Sequence, residues 1–266
     1  MPPVSLFYLN ELHRHLQDTD LQMDVLSPPG LTRKKDPAAL LDKLVRDHPG
    51  ACWVLTVTNR AVQEWFMRNG VPSLVAGSCY EGITLPSFDI DYQAVCRHAA
   101  GLFVSRGHRR VAMVLPDKPT PAGEASESGF EEGMAMSNES GVQGLVLRHD
   151  GTCWDLCQKL SALLERPEAP TGILACKPLN VLTVLTLLQR SGYRLPEDIS
   201  LVSRDSDTYL GYLTPNVTRY SIRRRNFGSR LSRLVLQLAQ TGALPYRPCR
   251  FIPGLEEGET LGEAKG

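Results

Sequence analysis

The sequence predicts an α/β fold built on parallel sheets, and three observations carry that prediction. Pro170-Thr-Gly-Ile-Leu-Ala-Cys-Lys-Pro178, then Leu179 to Gly192, then Leu195-Pro-Glu-Asp-Ile-Ser-Leu-Val-Ser-Arg-Asp205 read as strand, long apolar helix, Pro-bearing turn and strand. That order makes a right-handed βαβ unit with parallel strands. Cys52-Trp-Val-Leu-Thr-Val57 is a continuous apolar run of strand length, as expected of a strand buried on both faces. Strands and helices alternate along most of the chain, which is the pattern of an α/β fold with a parallel sheet.

Taken in order, apolar positions at helical spacing (Leu6, Leu9, Leu12, Leu16) mark a helix from about Ser5 to Leu16. Gln22-Met-Asp-Val-Leu26 reads as a short strand, and Pro28-Pro-Gly30 breaks the chain. Pro37 to Val45 makes a helix, followed by the strand Cys52–Val57 and a helix from Ala61 to Asn69 capped by Gly70. Ser73–Ala76 is the next strand. Asp91 opens a helix from Tyr92 to Ser105 that stops at Gly107-His108, and Arg110 to Leu115 is a strand closed by Pro116. From Asp117 to Ser128 the composition turns to Pro, Gly, Ala, Ser and Glu without periodicity, which reads as a linker or a loop over a site. The alternation then resumes with helix Gly129–Met136, strand Gly144–Leu147, helix Trp154–Leu164 and the βαβ unit. After Pro215 the chain is polar and basic, then forms helix Phe227–Gln240, an extended Cys249–Pro253 and an acidic, Gly-rich tail.

Composition narrows the function. The 266 residues suffice for one large domain or two lobes. Lys+Arg and Asp+Glu both number 29, so the chain lacks the basic balance of a nucleic-acid-binding domain. No apolar run spans a bilayer, and the N-terminus has no secretory pattern, so no membrane contact is expected. Seven scattered cysteines without a Cys-x-x-Cys pair read as free thiols in a reducing cytoplasm. Cys153 and Cys157 share a helix face at ligand spacing, but no further His/Cys cluster completes a metal site. Gly-x-Ser-x-Gly, His-Glu-x-x-His, Walker and Gly-x-Gly-x-x-Gly motifs are all missing, so neither an enzyme nor a cofactor is expected. His108 reads as a structural hydrogen-bonding residue at a helix-to-strand turn. Arg219, Arg223, Arg224 and Arg225 read as solvated surface.

Several phrases occur together and in order: Leu85-Pro-Ser-Phe-Asp-Ile-Asp91, Arg97-His-Ala-Ala, Gly107-His-Arg-Arg-Val-Ala, Ser128-Gly-Phe-Glu-Glu-Gly133, Gly192 to Ser203, and Gly258-Glu-Thr-Leu-Gly262. This set resembles the effector-binding domain of the lactose-repressor/galactose-repressor family of bacterial transcription regulators, over roughly residues 5 to 262. The resemblance implies two similar α/β lobes joined by three crossovers, in the manner of type I periplasmic binding proteins. It also implies an effector in the cleft, ligand-linked lobe closure, and a homodimer. The crossovers are expected near Pro116-Asp117, Arg219-Tyr220 and Arg250. Residues 1–116 and 221–249 would form the N-terminal lobe, and 117–220 and 250–266 the C-terminal lobe. A helix-turn-helix module is not found in the sequence, and the family's first strand is absent or reduced to Pro2-Pro-Val4. DNA would then be reached through a missing N-terminal module.

The same resemblance marks the candidate effector-binding residues. The family's Arg before the Gly-aromatic pair is Ser126, its Asn-Asp pair is Cys176-Lys177, and its Gly-aromatic-Asp-Asp phrase is Ser203-Arg204-Asp205-Ser206. Asp205 matches the family's effector-binding acid, and Trp154 falls near its stacking Trp. A guanidinium and an ammonium near one carboxylate suit a sugar acid better than a neutral hexose. Against this stands a structural ion pair of Arg204 with Asp205 or Asp207. Trp154 reads equally as a core residue, and Asp91 as a helix cap compatible with touching ligand. The apolar helix Leu179–Leu188 is read as a core or dimer-interface element. The resulting expectation is a cytoplasmic ligand-sensing domain of a transcriptional regulator that binds a sugar or a sugar-acid-like effector. The alternatives are a solute-binding protein of a transporter, or a regulator whose cleft has lost its ligand and answers to a partner protein.

Overall fold

The computed structural model describes residues 3–17, 19–31, 36–137 and 140–265. The chain forms two compact units, one made of the chain up to Ile90 with Arg223–Phe251, the other of Asp91–Ile222 with the chain from Ile252 onward. The first unit begins with α1 (Pro3–Leu16), α2 (Ala38–Asp47), β1 (Trp53–Leu55), α3 (Arg60–Asn69), β2 (Ser73–Ala76) and β3 (Ser87–Ile90). The second holds α4 (Tyr92–Ser105), β4 (Arg110–Pro116), α5 (Pro121–Ala135), β5 (Gln143–His149), α6 (Cys153–Leu164), β6 (Gly172–Ala175), α7 (Pro178–Arg190) and β7 (Ser200–Ser203). A 3-10 turn over Thr208–Tyr212 and β8 (Thr218–Ser221) follow. The chain returns to the first unit as α8 (Arg224–Thr241) and β9 (Cys249–Phe251), and to the second as β10 (Gly254–Glu256).

Each unit is built on its own sheet, as the sequence predicts. The first has the order β1-β2-β3-β9 with every pair parallel. The second has the order β10-β8-β7-β6-β4-β5 and is parallel except for β10, which runs antiparallel to β8. The βαβ unit of β6, α7 and β7 forms as read, with Gly172 to Ala175 opposite Ser200 to Ser203. Residues Val111 to Leu115 of β4 are buried, because that strand lies inside the sheet with helices over its faces. Local signals set the helix ends. Asn59 accepts from the Val62 N–H at 3.0 Å to start α3, and Gly70, at φ 59°, ends it. The α7 side chains Val181, Val184, Leu185 and Leu188 are buried in the second unit's own core, which accounts for most of that helix's apolar character.

Four expectations need correcting. Gln22–Leu26 forms no strand: Val25 and Leu26 are exposed, and β1 is the edge of its sheet, so no described strand pairs with that segment. Asp117–Ser128 is not a linker; Thr120 accepts from the Gly123 N–H at 3.1 Å and Pro121 takes the first helical position, so α5 starts there. The first passage between units falls at Ile90/Asp91 rather than near Pro116-Asp117, because β4 pairs with β5 and β6 of the second unit. The other two fall at Ile222/Arg223 and Phe251/Ile252, two residues or so beyond their expected places. β3 and β10 are strands that the sequence reading did not assign.

The contact between α4 and α5 is set by two glycines. A Cβ at Gly129 would lie 2.1 Å from the Gln93 carbonyl oxygen, and one at Gly133 would lie 2.5 Å from that of Arg97. Gly129 and Gly133 are four apart and lie on one face of α5, so the two helices approach backbone to backbone. Elsewhere the C-terminal segment is stitched to the sheet. The Leu201 N–H donates to the Thr260 carbonyl at 2.7 Å, and the Thr260 hydroxyl donates to the Leu201 carbonyl at 2.6 Å. His108 joins the same seam: one ring nitrogen lies 3.1 Å from the Gly262 carbonyl, which can only accept, so that nitrogen carries the proton. The other nitrogen accepts from the Thr171 hydroxyl at 2.9 Å. Burial holds the His108 pKa below its ordinary value, against the smaller raising effect of the Gly262 carbonyl.

Gly129→Ala should therefore cost about 3 kcal/mol or abolish folding, because the obstacle is backbone. Gly101→Ala, in the same helix pair but facing open space, should instead stabilise by up to about 1 kcal/mol. Urea unfolding of the two variants checks the contrast. For His108, the unfolded chain takes up a proton below the ordinary histidine value of about 6.5 while the folded form resists it. Stability should fall as pH drops through that value toward the lower folded one. His108→Gln should reduce this slope while lowering stability at neutral pH, which unfolding curves at about pH 7.5 and about pH 5.5 would read.

Candidate ligand-binding site

In an open parallel sheet, ligands meet the carboxyl ends of the strands where the strand order reverses. In the second unit that reversal lies between β6 and β4, since β5 follows on one side of β4 while β6 and β7 follow on the other. The carboxyl ends there carry Asp117 after β4, His149 at the end of β5, Cys176-Lys177 after β6 and Arg204-Asp205 after β7. The starts of α5, α6 and α7 lie on the same edge, each following one of these strands.

Arg204 organises this edge. Its Nε donates to Asp205 Oδ1 at 2.9 Å and its Nη2 donates to Asp205 Oδ2 at 2.7 Å, a bidentate fork between neighbouring residues. Its Nη1 donates to the Ser126 hydroxyl at 2.7 Å, and that hydroxyl donates onward to the Ala122 carbonyl at 2.6 Å. The guanidinium lies over the Tyr92 ring, 4.3 Å from its centre. The Arg204 side chain is 7% exposed, against 22% for Asp205. Burial is the largest single influence and disfavours the charge, but the Asp205 carboxylate and smaller contributions from Cys176 and Tyr92 together outweigh it, so the Arg204 pKa stands well above its ordinary value. The main chain fixes the pair as well: the Arg204 N–H donates to the Ala175 carbonyl at 2.9 Å, and the Ser203 hydroxyl donates to the Asp205 carbonyl.

Two thiols complete the buried side of this group. Burial pushes Cys96 up, but a hydrogen bond with Cys176, the Arg204 charge and the Ser126 hydroxyl together hold it below its ordinary value. Cys176 is raised, first by its burial and then by its contact with Cys96. Both thiols are fully buried.

The structure therefore brings Arg204, Asp205, Ser126 and Cys176 together. Asp91 caps α4, accepting from the Ala94 N–H at 3.0 Å, one residue before Tyr92. Lys177 is exposed at the start of α7 and makes no side-chain cap there. Trp154 is 72% exposed in the first turn of α6, so it is not a core residue. Sequence reading missed Tyr92, Cys96, His149 and Asn180. His149 accepts from the Gly151 N–H at 3.1 Å and lies 3.0 Å from the Asn180 side-chain amide. Burial lowers its pKa. The signal for it was its place at the carboxyl end of a strand.

Among the described residues no helix is long and apolar enough to cross a membrane, and no group of three His, Cys, Asp or Glu side chains is placed to hold a metal ion.

Comparison with known proteins agrees with the fold. Residues 85–261 match the family described as periplasmic binding protein-like domain. Catabolite control protein A of Priestia megaterium is 23% identical over 223 residues, covering 82% of this chain and 67% of that protein. The chain spans about half of the other first-ranking curated relatives, among them HTH-type transcriptional regulators. A LacI family transcriptional regulator from Enterococcus faecium, solved with bound ribose, shares the fold at a TM-score of 0.74 and 19% identity. That match covers 100% of this chain and 98% of that one. A regulatory protein of LacI family from Chloroflexus aggregans shares the fold at a TM-score of 0.82 and 18% identity, over 97% of this chain and 92% of that one. The fold, the ordered phrases and the matched span agree, and the chain belongs to the periplasmic binding protein-like domain family, as its resemblance to lactose-repressor/galactose-repressor effector domains predicts.

Proposed function

We propose that this chain is the ligand-sensing part of a transcriptional regulator and binds a sugar against the carboxyl edge of the second unit's sheet. The observation that carries the reading is the Arg204–Asp205–Ser126 network, which fixes a carboxylate at that edge before any ligand arrives. Asp205 is the acceptor for sugar hydroxyls, using the lone pairs that Arg204 leaves. Arg204 and Ser126 hold Asp205 in place, with Cys176 packed behind them and Asp91 fixing the start of α4. Trp154 offers an exposed aromatic face, and Lys177 a rim donor. Several of the relatives are named as transcriptional regulators, and one regulator of the same fold holds ribose.

The charge argument for a sugar acid weakens once the geometry is known. Arg204 spends its charge on Asp205, so the pair is neutral toward a ligand, and Lys177 is the remaining cation among the candidate residues. A neutral sugar is the effector we favour. In the whole protein, effector binding would alter the hold of a DNA-binding part on its operator, in a cytoplasmic homodimer without catalytic activity. The ligand can bias that equilibrium only through its different affinity for the two states.

Thermal unfolding against a panel of pentoses, hexoses, disaccharides and sugar acids tests the reading. At least one neutral sugar should stabilise the protein, by about 2.7 kcal/mol at a hundredfold excess over its Kd. Asp205→Asn should remove that increment while circular dichroism still shows the fold. A panel without any stabilising sugar, or an increment that survives Asp205→Asn, contradicts it.

A further inference from the structure

The sugar reading concerns the second unit and assigns no ligand to the first. That first unit holds an open cavity of about 390 Å³, at the small end of the range for ligand pockets. It lies between the starts of β2, β3 and β9 and the C-terminal half of α8. This is the amino edge of the sheet. The usual strand-end site of a parallel sheet, at the carboxyl edge, therefore does not account for it.

The walls combine two chemistries. Leu74, which is buried, lines the cavity with the half-buried Pro86, Leu234 and Leu244. The charged part has one sign: Arg247 and Arg250 line the cavity, no Asp or Glu does, and α8 carries no acidic residue. Arg250 is engaged, donating to the Ser78 hydroxyl at 3.3 Å. Arg247 forms no hydrogen bond or ion pair among the described residues. Its guanidinium keeps its donors for a ligand, and a carboxylate would take two of them in a fork. Pro245 and Pro248 flank Tyr246-Arg247 and restrict that backbone, which lowers the cost of ordering the wall around a ligand.

We propose that this cavity is a second ligand site, for a small carboxylate with a compact apolar body, aromatic or branched aliphatic. The apolar walls take the body out of water, and Arg247 meets the carboxylate. Other classes fit the lining less well. A sugar would set hydroxyls without partners against Leu74, Pro86 and Leu234. An inorganic anion would gain one exposed arginine and nothing from the walls. A cation would meet Arg247 with no acid in the lining to offset it.

Titration of the full chain with phenylacetate, and with phenylacetamide as its neutral counterpart, tests the site by 15N–1H NMR. We expect phenylacetate to shift the Leu234, Gln237 and Cys249 amides saturably, with a Kd of about 1 mM or tighter for a ligand of its size. Phenylacetamide should bind about fivefold more weakly, and Arg247→Gln should abolish that difference. A second readout needs no variant. Phenylacetate should slow alkylation of Cys249, which lines the cavity, and not of Cys52, half-buried elsewhere in the unit. No saturable shift at these amides, equal binding of the two probes, a preference that survives Arg247→Gln, or an unprotected Cys249 overturns the proposal. The cavity shares no residue with the Asp205 network, so either reading can fail without the other.

Discussion

The guanidinium of Arg204 is buried at the carboxyl edge of a sheet, and a buried charge persists only where its donors are met. Three of its N–H groups are accounted for by two side chains, and its flat face by the Tyr92 ring. Three neighbouring elements, β7, α5 and α4, make that possible. β7 must end at Ser203 so that Arg204 turns back over Ala175, and α5 must present a small hydroxyl rather than a long side chain at position 126. α4 must begin at Tyr92, capped by Asp91, to bring an aromatic face under the charge.

The glycines of α5 place that hydroxyl. Ser126, Gly129 and Gly133 recur at helical spacing, so one face of α5 is lined by small residues. With no Cβ at positions 129 and 133, α4 lies against the α5 backbone, and Tyr92 and Cys96 come within reach of Ser126 and Arg204. Close helix packing thus works on two levels. It buries Phe103 and Phe130 in the core, and it sets the geometry of the polar edge.

The architecture was legible in the sequence because buried parallel strands write long apolar runs, and because the family phrases stand at their ends. Cys52–Val57, Arg110–Leu115 and the βαβ stretch all became strands in their expected places, give or take a residue or two. The first half of α5 was hidden for a physical reason: a helix turn that buries glycine and serine against a neighbour has no apolar stripe to read, and Thr120-Pro121 was its one local signal, whereas the second half, with Phe130 and Met134, was read as a helix. Gln22–Leu26 misled in the opposite way, with strand-like residues and no partner strand. At the candidate site, Asp205, Arg204 and Ser126 could be singled out one by one. Their association could not, because Nη1 of Arg204 meets a hydroxyl 78 positions earlier in the chain. The donor fork that the resemblance implies at position 126 comes instead from position 204, and its charge is spent within the protein.

The central claim is that Arg204 is locked onto Asp205 and Ser126 before any ligand binds, so that the proposed recognition edge is preformed. The proton on Arg204 Nε, observed by 15N–1H NMR at neutral pH, reads this directly. The account predicts a distinct, slowly exchanging resonance in the free protein that is lost in Asp205→Asn. Exchange as fast as that of the exposed arginines, or a resonance indifferent to Asp205→Asn, would contradict it.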